Sequence, residues 1–467
     1  MQGVGDDRTN ALGRTRDQCP LAVKRDRGSQ FAHEKNFPAL PQGTGARRRD
    51  ARVHYGLVYA TDSAVSRATL PPRTSSAAAL PPPEPDALAH GERVRAHLVA
   101  ALQAAGGWLS FARYMELALY APGLGYYSAG STKLGPAGDF ITAPELTPLF
   151  GQALARQLAP LLQALARPVL LEPGAGTGAL AASLLPALAE LDALPTRYLV
   201  LEPSAELAAR QRARLAERLP APLLARVAWV QSPPEGEAAG ILVANEVLDA
   251  LPVERFRVSA EGPLQLGVAL DEAGGFCWRT APFDPAFAAS VRAQLGEALD
   301  GLPAGAEGEF CPLLAPWLAT LLGGFERGAA LFIDYGLPRA ELYLPERTGG
   351  TLRCHYRQRA HDDPLVLPGL QDITAWVDFT AVAEAAVAAG WEVAGFTTQA
   401  HYLLDGGLEG LLPEAGAGDA SALQALQAVK TLVLPGEMGE RFRVMALVRG
   451  LETTPPGFGL RDLRDRL

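Results

Sequence analysis

The chain has 467 residues, 48% of them hydrophobic and 20% charged, with a formal net charge of −9. It can bury a sizeable core and has room for two or three domains, while its acidic balance argues against a broad nucleic-acid or anionic-membrane surface, which Lys and Arg would have to hold. No apolar run reaches the ~18 residues of a spanning helix, and Cys19, Cys277, Cys311 and Cys354 form no CxxC pair, which argues against a disulfide framework or thiolate metal site and reads as reduced, intracellular thiols.

Residues 1–86 carry mixed charge, the run RRRD and the stretch SSAAALPPPEPD, with no sustained period. They read as a disordered or dispensable extension. Asp6, Asp7 and Asp17 spoil the acid-poor pattern of a mitochondrial presequence, and there is no apolar core of a secretory signal. Residues 87–160 read as a helical N-terminal cap region: apolar positions recur at three- and four-residue spacing through RVRAHLVAALQAAGGWLSFARYMELALY, then break at APGLGYYSAG.

From 161 to 252 apolar runs alternate with helical stretches: VLLEP (169–173), a helix near 178–192, YLVLEP (198–203), a helix near 205–218, then VAWVQ (227–231) and ILVAN (241–245). This rhythm predicts an α/β fold with a mostly parallel sheet covered by helices on both faces. Residues 253–327 interrupt it with hairpin-like alternation around EGP and DEAGG, an inserted β-rich and helical subdomain. The core resumes over 328–450 with AALFIDYG (329–336), a substrate-facing loop over 337–378, a helix near 379–390 and strands near 392–399 and 442–448; residues 451–467 form a C-terminal tail.

The turn GAGTGA (174–179) follows the first strand and fits both the dinucleotide pattern G-x-G-x-x-G/A and the G-x-G-x-G of S-adenosylmethionine (SAM) enzymes. Glu172, two residues ahead of it, would repel a pyrophosphate but suits the ammonium of a methionine moiety. Glu202 ends the next strand, where an acid can accept both ribose hydroxyls of either ligand. NEVLDALP (245–252) brings Asn245, Glu246 and Asp249 to the mouth of the same crevice. Taken singly, Glu172 could be a solvated strand end, Glu202-Pro203-Ser204 a helix cap, and Asp249 an acid favoured by a helix dipole. Their coincidence at the carboxyl ends of successive strands favours a ligand site. Asp334-Tyr335 ends a further strand and reads equally as crevice lining or as a turn. In RCHYRQRAHDDP (353–364), His355 and His361 are six apart, which fits no helical ligand pair, so the stretch reads as a solvated or substrate-facing loop and no metal is expected.

Six ordered stretches, GDFITAPELTPLFG, LEPGAGTG, ANEVLDALPVERF, FIDYG, DITAWVDF and PGEMGERFRVMAL, resemble the MidA-like class I SAM-dependent methyltransferases over about residues 90–450. The resemblance implies a Rossmann-like class I methyltransferase fold and SAM as cofactor. It implies cofactor contacts from Glu172, Gly174, Ala175, Gly176, Gly178, Glu202, Pro203 and Asn245, with Gly138, Asp139, Phe140 and Thr142, joined by Glu145, folding over from the cap. Mitochondrial members of this family are complex I assembly factors that methylate an arginine of a complex I subunit, which implies a protein partner. An arginine acceptor requires a nearby acid to hold its fork and take a proton; Glu246 and Asp249 are the candidates, with Asn245 orienting acceptor or cofactor. Methylation of a small molecule or another side chain, and a non-catalytic assembly chaperone, stand as alternatives. Ala-, Leu- and Pro-rich usage suggests the bacterial cytoplasm, or the mitochondrial matrix in a eukaryote.

Overall fold

The computed structural model describes residues 80–128, 141–413 and 420–467. Four apolar runs form the centre of one sheet: β1 (Val169–Pro173), β2 (Arg197–Leu201), β3 (Val227–Val230) and β4 (Gly240–Asn245). β5 (Gly328–Leu337), β6 (Glu392–Thr398) and β7 (Phe442–Arg449) extend it in the order β6-β7-β5-β4-β1-β2-β3, and the short strand Val377–Asp378 pairs with the end of β5. Strands β1 to β5 run parallel, whereas β7 lies antiparallel between β5 and β6. The order in which successive strands are added reverses between the parallel strands β1 and β4, and that switch opens the crevice where open α/β sheets bind ligands.

Both sheet faces are buried, as unbroken apolar strands require. Helices α1 (Pro85–Ala104) and α2 (Phe111–Tyr120) form the entry region; α3 (Pro148–Gln163) and α4 (Ala179–Glu190) pack on one face over Leu170, Ile241, Val243 and Ile333. Gly151 of α3 lies so close to Ser183 of α4 that a Cβ there would overlap its hydroxyl. Helix α5 (Ala205–Arg218) begins at Ser204, whose hydroxyl accepts the N–H of Leu207 at 3.3 Å, and carries Glu206 in its first turn and Arg218 in its last, as the helix dipole favours. On the opposite face, α6 (Leu314–Leu322) and α7 (Phe379–Ala388) cover Leu171, Leu242, Phe332 and Met445.

Between β4 and β5 the chain builds a second sheet from the strands Glu254–Ser259, Gly262–Leu270, Phe276–Thr280 and Glu307–Phe310, joined by Leu109–Ser110 from the entry region. The stretch 353–364 is no open loop: Arg353–Tyr356 pairs antiparallel with both Arg359–His361 and Asp372–Thr374. His355 lies opposite Ala360, and Cys354 opposite His361, so the pleat sends the two histidines to opposite faces. They cannot share a metal ion, and among the described residues no His, Cys, Asp or Glu group is arranged to hold one. Residues 451–467 lie along the edge strand β6, where the Leu463 N–H donates to the Phe396 carbonyl at 2.6 Å. No helix among the described residues is long and apolar enough to cross a membrane.

Candidate functional site

A cavity of about 860 Å³ opens at the carboxyl ends of β1, β2 and β4. Gly174, Gly176 and Gly178 all take left-handed backbone conformations, with φ of 62°, 55° and 85°, a region that an L side chain enters only with strain. Gly174 to Thr177 line the cavity; Gly178 sits one step back as the N-cap of α4, beneath Leu215. At Gly174 a Cβ would also stand 3.1 Å from Val247. The loop therefore presents main chain to whatever fills the cavity.

Two buried carboxylates stand at the strand ends. Glu172 accepts the Tyr198 hydroxyl at 2.6 Å, and burial, only partly offset by that bond, raises its pKa to about 7. Glu202 accepts the Ser204 N–H at 2.9 Å and Gln211 Nε2 at 3.1 Å; burial raises its pKa too, against the pull of those donors. Gln211, absent from the sequence reading, also donates to the Gly176 carbonyl at 2.9 Å and accepts Trp229 Nε1 at 2.9 Å. It ties the glycine loop to the second acid. Pro203 lines the cavity beside them.

Asn245 and Glu246 form the wall at the end of β4. Glu246 holds a φ of 54°, unusual for a residue with a side chain. Its Oε1 accepts the Ala143 N–H at 3.3 Å and Asn245 Nδ2 at 3.0 Å, and neither bond uses Oε2. Burial and then the neighbouring Asp334 push its pKa up to about 8. Because Asn245 Nδ2 is pinned on Glu246, its Oδ1 is left buried with no partner among the described residues. Asp249 lies behind the cavity wall, and burial with Asp334, Asp372 and Glu246 around it raises its pKa well above the usual range.

Asp334 is the hub of this wall. Its Oδ2 accepts the N–H groups of Val247, Leu248 and Asp249 at 3.1, 2.8 and 3.3 Å, and its Oδ1 that of Tyr335 at 2.8 Å. Burial nonetheless holds its pKa up at about 7. It is 1% exposed and shapes the 246–251 turn from behind rather than lining the cavity.

The cap region closes one side. Thr142 and Glu145 line the cavity, whereas Gly138, Asp139 and Phe140 lie outside the described residues. Burial would raise the Glu145 carboxyl, but hydrogen bonds from Arg214, at 2.7 and 3.0 Å, and from Thr177 hold it below its ordinary value. Tyr120 and Tyr127 complete the wall near Ala250, and Gln231, Pro233 and Trp317 the wall beyond Glu202. None of these five was singled out from the sequence. The doublet YY after APGLG and the QSPP after β3 were the signals available.

An adenosyl-methionine fits this donor and acceptor set. The orphaned Asn245 Oδ1 and the Glu172 carboxyl are acceptors for an ammonium, Glu202 keeps lone pairs for ribose hydroxyls, and the exposed glycine main chain leaves room between them.

Residues 153–397, more than half of the chain, match the family model described as S-adenosyl-L-methionine-dependent methyltransferase. A crystallised superfamily member from Burkholderia thailandensis, bound to S-adenosyl-homocysteine, is 45% identical with a TM-score of 0.78, and the match covers 83% of this chain and 100% of that one. The mitochondrial protein arginine methyltransferase NDUFAF7 of Mus musculus is 29% identical over 388 residues, 75% of this chain and 83% of the relative. Its counterpart in Homo sapiens is 27% identical over 382 residues, 75% of this chain and 82% of the relative.

Proposed function

Because the chain belongs to the MidA-like family of S-adenosyl-L-methionine-dependent methyltransferases, with the class I methyltransferase fold, we propose that it methylates a guanidinium nitrogen of an arginine in a protein partner. The partner is a respiratory complex I subunit, as the motif resemblance implies, and the compartment is the bacterial cytoplasm, or the mitochondrial matrix in a eukaryote. The observation that carries the reading is the acid cluster on the acceptor side: Glu246 opens onto the cavity, with Asp249 and Asp334 buried behind it and Asp372 close by. Burying several carboxyls without a cation costs several kcal/mol per ionised group. A guanidinium, charged at any ordinary pH, relieves that cost and matches a carboxylate fork. The two named mitochondrial relatives are protein arginine methyltransferases.

The cofactor supplies a methyl group on a cationic sulfur and leaves as the uncharged thioether. The glycine loop and Glu202 would hold its two halves, and Glu172 with Asn245 Oδ1 its amino group. Such alignment of donor and acceptor is worth roughly 7–11 kcal/mol of barrier. Glu246 Oε2 accepts a guanidinium N–H and takes the proton that the nitrogen sheds as it gains the methyl. A carboxyl whose proton affinity is already raised suits that task near neutral pH. Asp334 acts through the turn it holds, as a positioning residue, and Asp249 is a further buried acid behind it.

The test is mass spectrometry of protein incubated with methyl-labelled SAM and lysate from cells lacking this chain. Label on arginine guanidino nitrogens is expected. Label confined to small molecules or to other side chains, or none while S-adenosylhomocysteine still binds, would overturn the arginine reading.

A further inference from the structure

Tyr120 ends α2, and Tyr127 follows after the turn APGLGY; their rings stack at 5.4 Å between centroids with 28° between planes. Both line the cavity, as do Ala250, Glu246 and Val247. Both hydroxyls are already engaged: Tyr120 donates to the Ala250 carbonyl at 2.8 Å and Tyr127 to Asp372 Oδ1 at 2.6 Å. Those bonds engage both hydroxyl protons within the protein. Each ring is thereby fixed against the same structure that carries the acids, Tyr120 to the residue after Asp249 and Tyr127 to Asp372 itself. Ser128 fastens the turn by donating to the Tyr120 carbonyl at 3.2 Å.

Aromatic carbon backed by carboxyl groups is a poor surface for an anion and a good one for a delocalised cation. A ring attracts a cation through its quadrupole, more strongly once both are out of water, and a planar, weakly hydrated guanidinium can stack where a compact ammonium cannot. The glycine loop, Glu172 and Glu202, assigned above to the cofactor, line the same cavity. We propose that Tyr120 and Tyr127 form the acceptor clamp, an aromatic wall that holds the substrate guanidinium by its apolar face while Glu246 engages its N–H edge. This rests on the arginine reading above and adds to it the residues that select the acceptor. Replacing a ring by an aliphatic side chain removes the stacking but keeps an apolar wall; replacing it by phenylalanine keeps the ring and removes the hydroxyl anchor.

The experiment measures methyl transfer from labelled SAM to a peptide pool with one fixed arginine between randomised flanks, for the wild type and for Y120L, Y120F, Y127L and Y127F. S-adenosylhomocysteine binding is followed by calorimetry in each. The leucine variants are expected to raise the peptide KM by about tenfold with cofactor affinity unchanged, and Y120F to recover most of that loss. A wild type that leaves the arginine pool unlabelled overturns the arginine reading and the clamp together. A labelled pool whose KM ignores both leucine changes overturns the clamp alone. So does a KM rise matched by an equal loss of cofactor affinity, since the rings would then serve the cofactor; the calorimetry also reveals a variant that has not folded.

Discussion

Glu246→Gln separates the charge of this carboxyl from its shape. In the folded chain its pKa stands at about 8 against an ordinary value of 4.5, so between those values the folded protein keeps a proton that the unfolded chain has lost. Its contribution to stability is therefore fully present below pH 4.5 and is lost as pH rises through about 8. At about 1.4 kcal/mol per pH unit the ceiling is about 5 kcal/mol; because the carboxyl opens onto a cavity that water can enter, about 2 kcal/mol is expected. Urea unfolding of wild type and variant from about pH 5 to about pH 9 measures it: the wild-type midpoint should fall relative to that of E246Q across that range. In the wild type, binding of an arginine peptide at pH 7 should release close to one proton, read from the buffer dependence of the binding enthalpy, and E246Q should release none. Methyl transfer by E246Q should drop by about 100-fold or more, the scale of a lost general base. Parallel stability curves for the two proteins would refute the argument that burial holds this group neutral until a cation arrives.

Glu202→Ala should weaken S-adenosylhomocysteine by about 10- to 100-fold in calorimetry, because charge-assisted hydrogen bonds to two hydroxyls are lost and Gln211 is released from one of its anchors; unchanged affinity would remove Glu202 from the ribose site. Asp334→Asn offers one acceptor oxygen where four N–H groups now converge on two, so at least one buried donor goes unpaired. A loss of about 1–3 kcal/mol in urea unfolding, with slower methyl transfer at unchanged cofactor affinity, is expected. Gly328→Ala should prevent folding: Gly328 has a φ of 151°, and a Cβ there would overlap the carbonyl oxygen of Gly240 in the next strand. Its check is soluble yield and far-ultraviolet circular dichroism.

The central strands and α5 were legible because their signals are local: unbroken apolar runs for β1 to β4, and Ser204 followed by Glu206 for the helix start. The hairpins of the insertion were legible for the same reason, since Asp271 Oδ1 accepts the N–H groups of Ala273 and Gly275 at 2.9 and 2.7 Å within the turn DEAGG. The stretch 353–364 was not. Its charges suggested solvent, whereas the alternation that buries Cys354 and Tyr356 belongs to a strand whose second partner, Asp372–Thr374, comes later in the chain. Of the site, the glycine elbow, Glu172, Glu202 and the Asn245-Glu246 pair were legible, because a parallel sheet places consecutive strand ends at one edge.

What the sequence hides is the coupling between those ends. Asp334 grips backbone groups 85 to 87 residues earlier, and nothing in FIDYG distinguishes an acid that faces a ligand from one that organises a turn. Tyr120 reaches Ala250 across 130 residues and Tyr127 reaches Asp372 across 245. Spread along the chain, Glu246, Asp249, Asp334 and Asp372 are four ordinary acids in a protein of net charge −9. Gathered at and behind one cavity wall, they make ionisation costly for each other. A proton can offset that cost when the cavity holds only water; under the proposed arginine reading a bound cation would offset it better, and the energy that burial withholds from the empty site would reappear as selectivity for that acceptor. As an acid rather than an amide, Asp334 holds the turn through four N–H bonds and, when ionised, raises the proton affinity of Glu246 at the cavity.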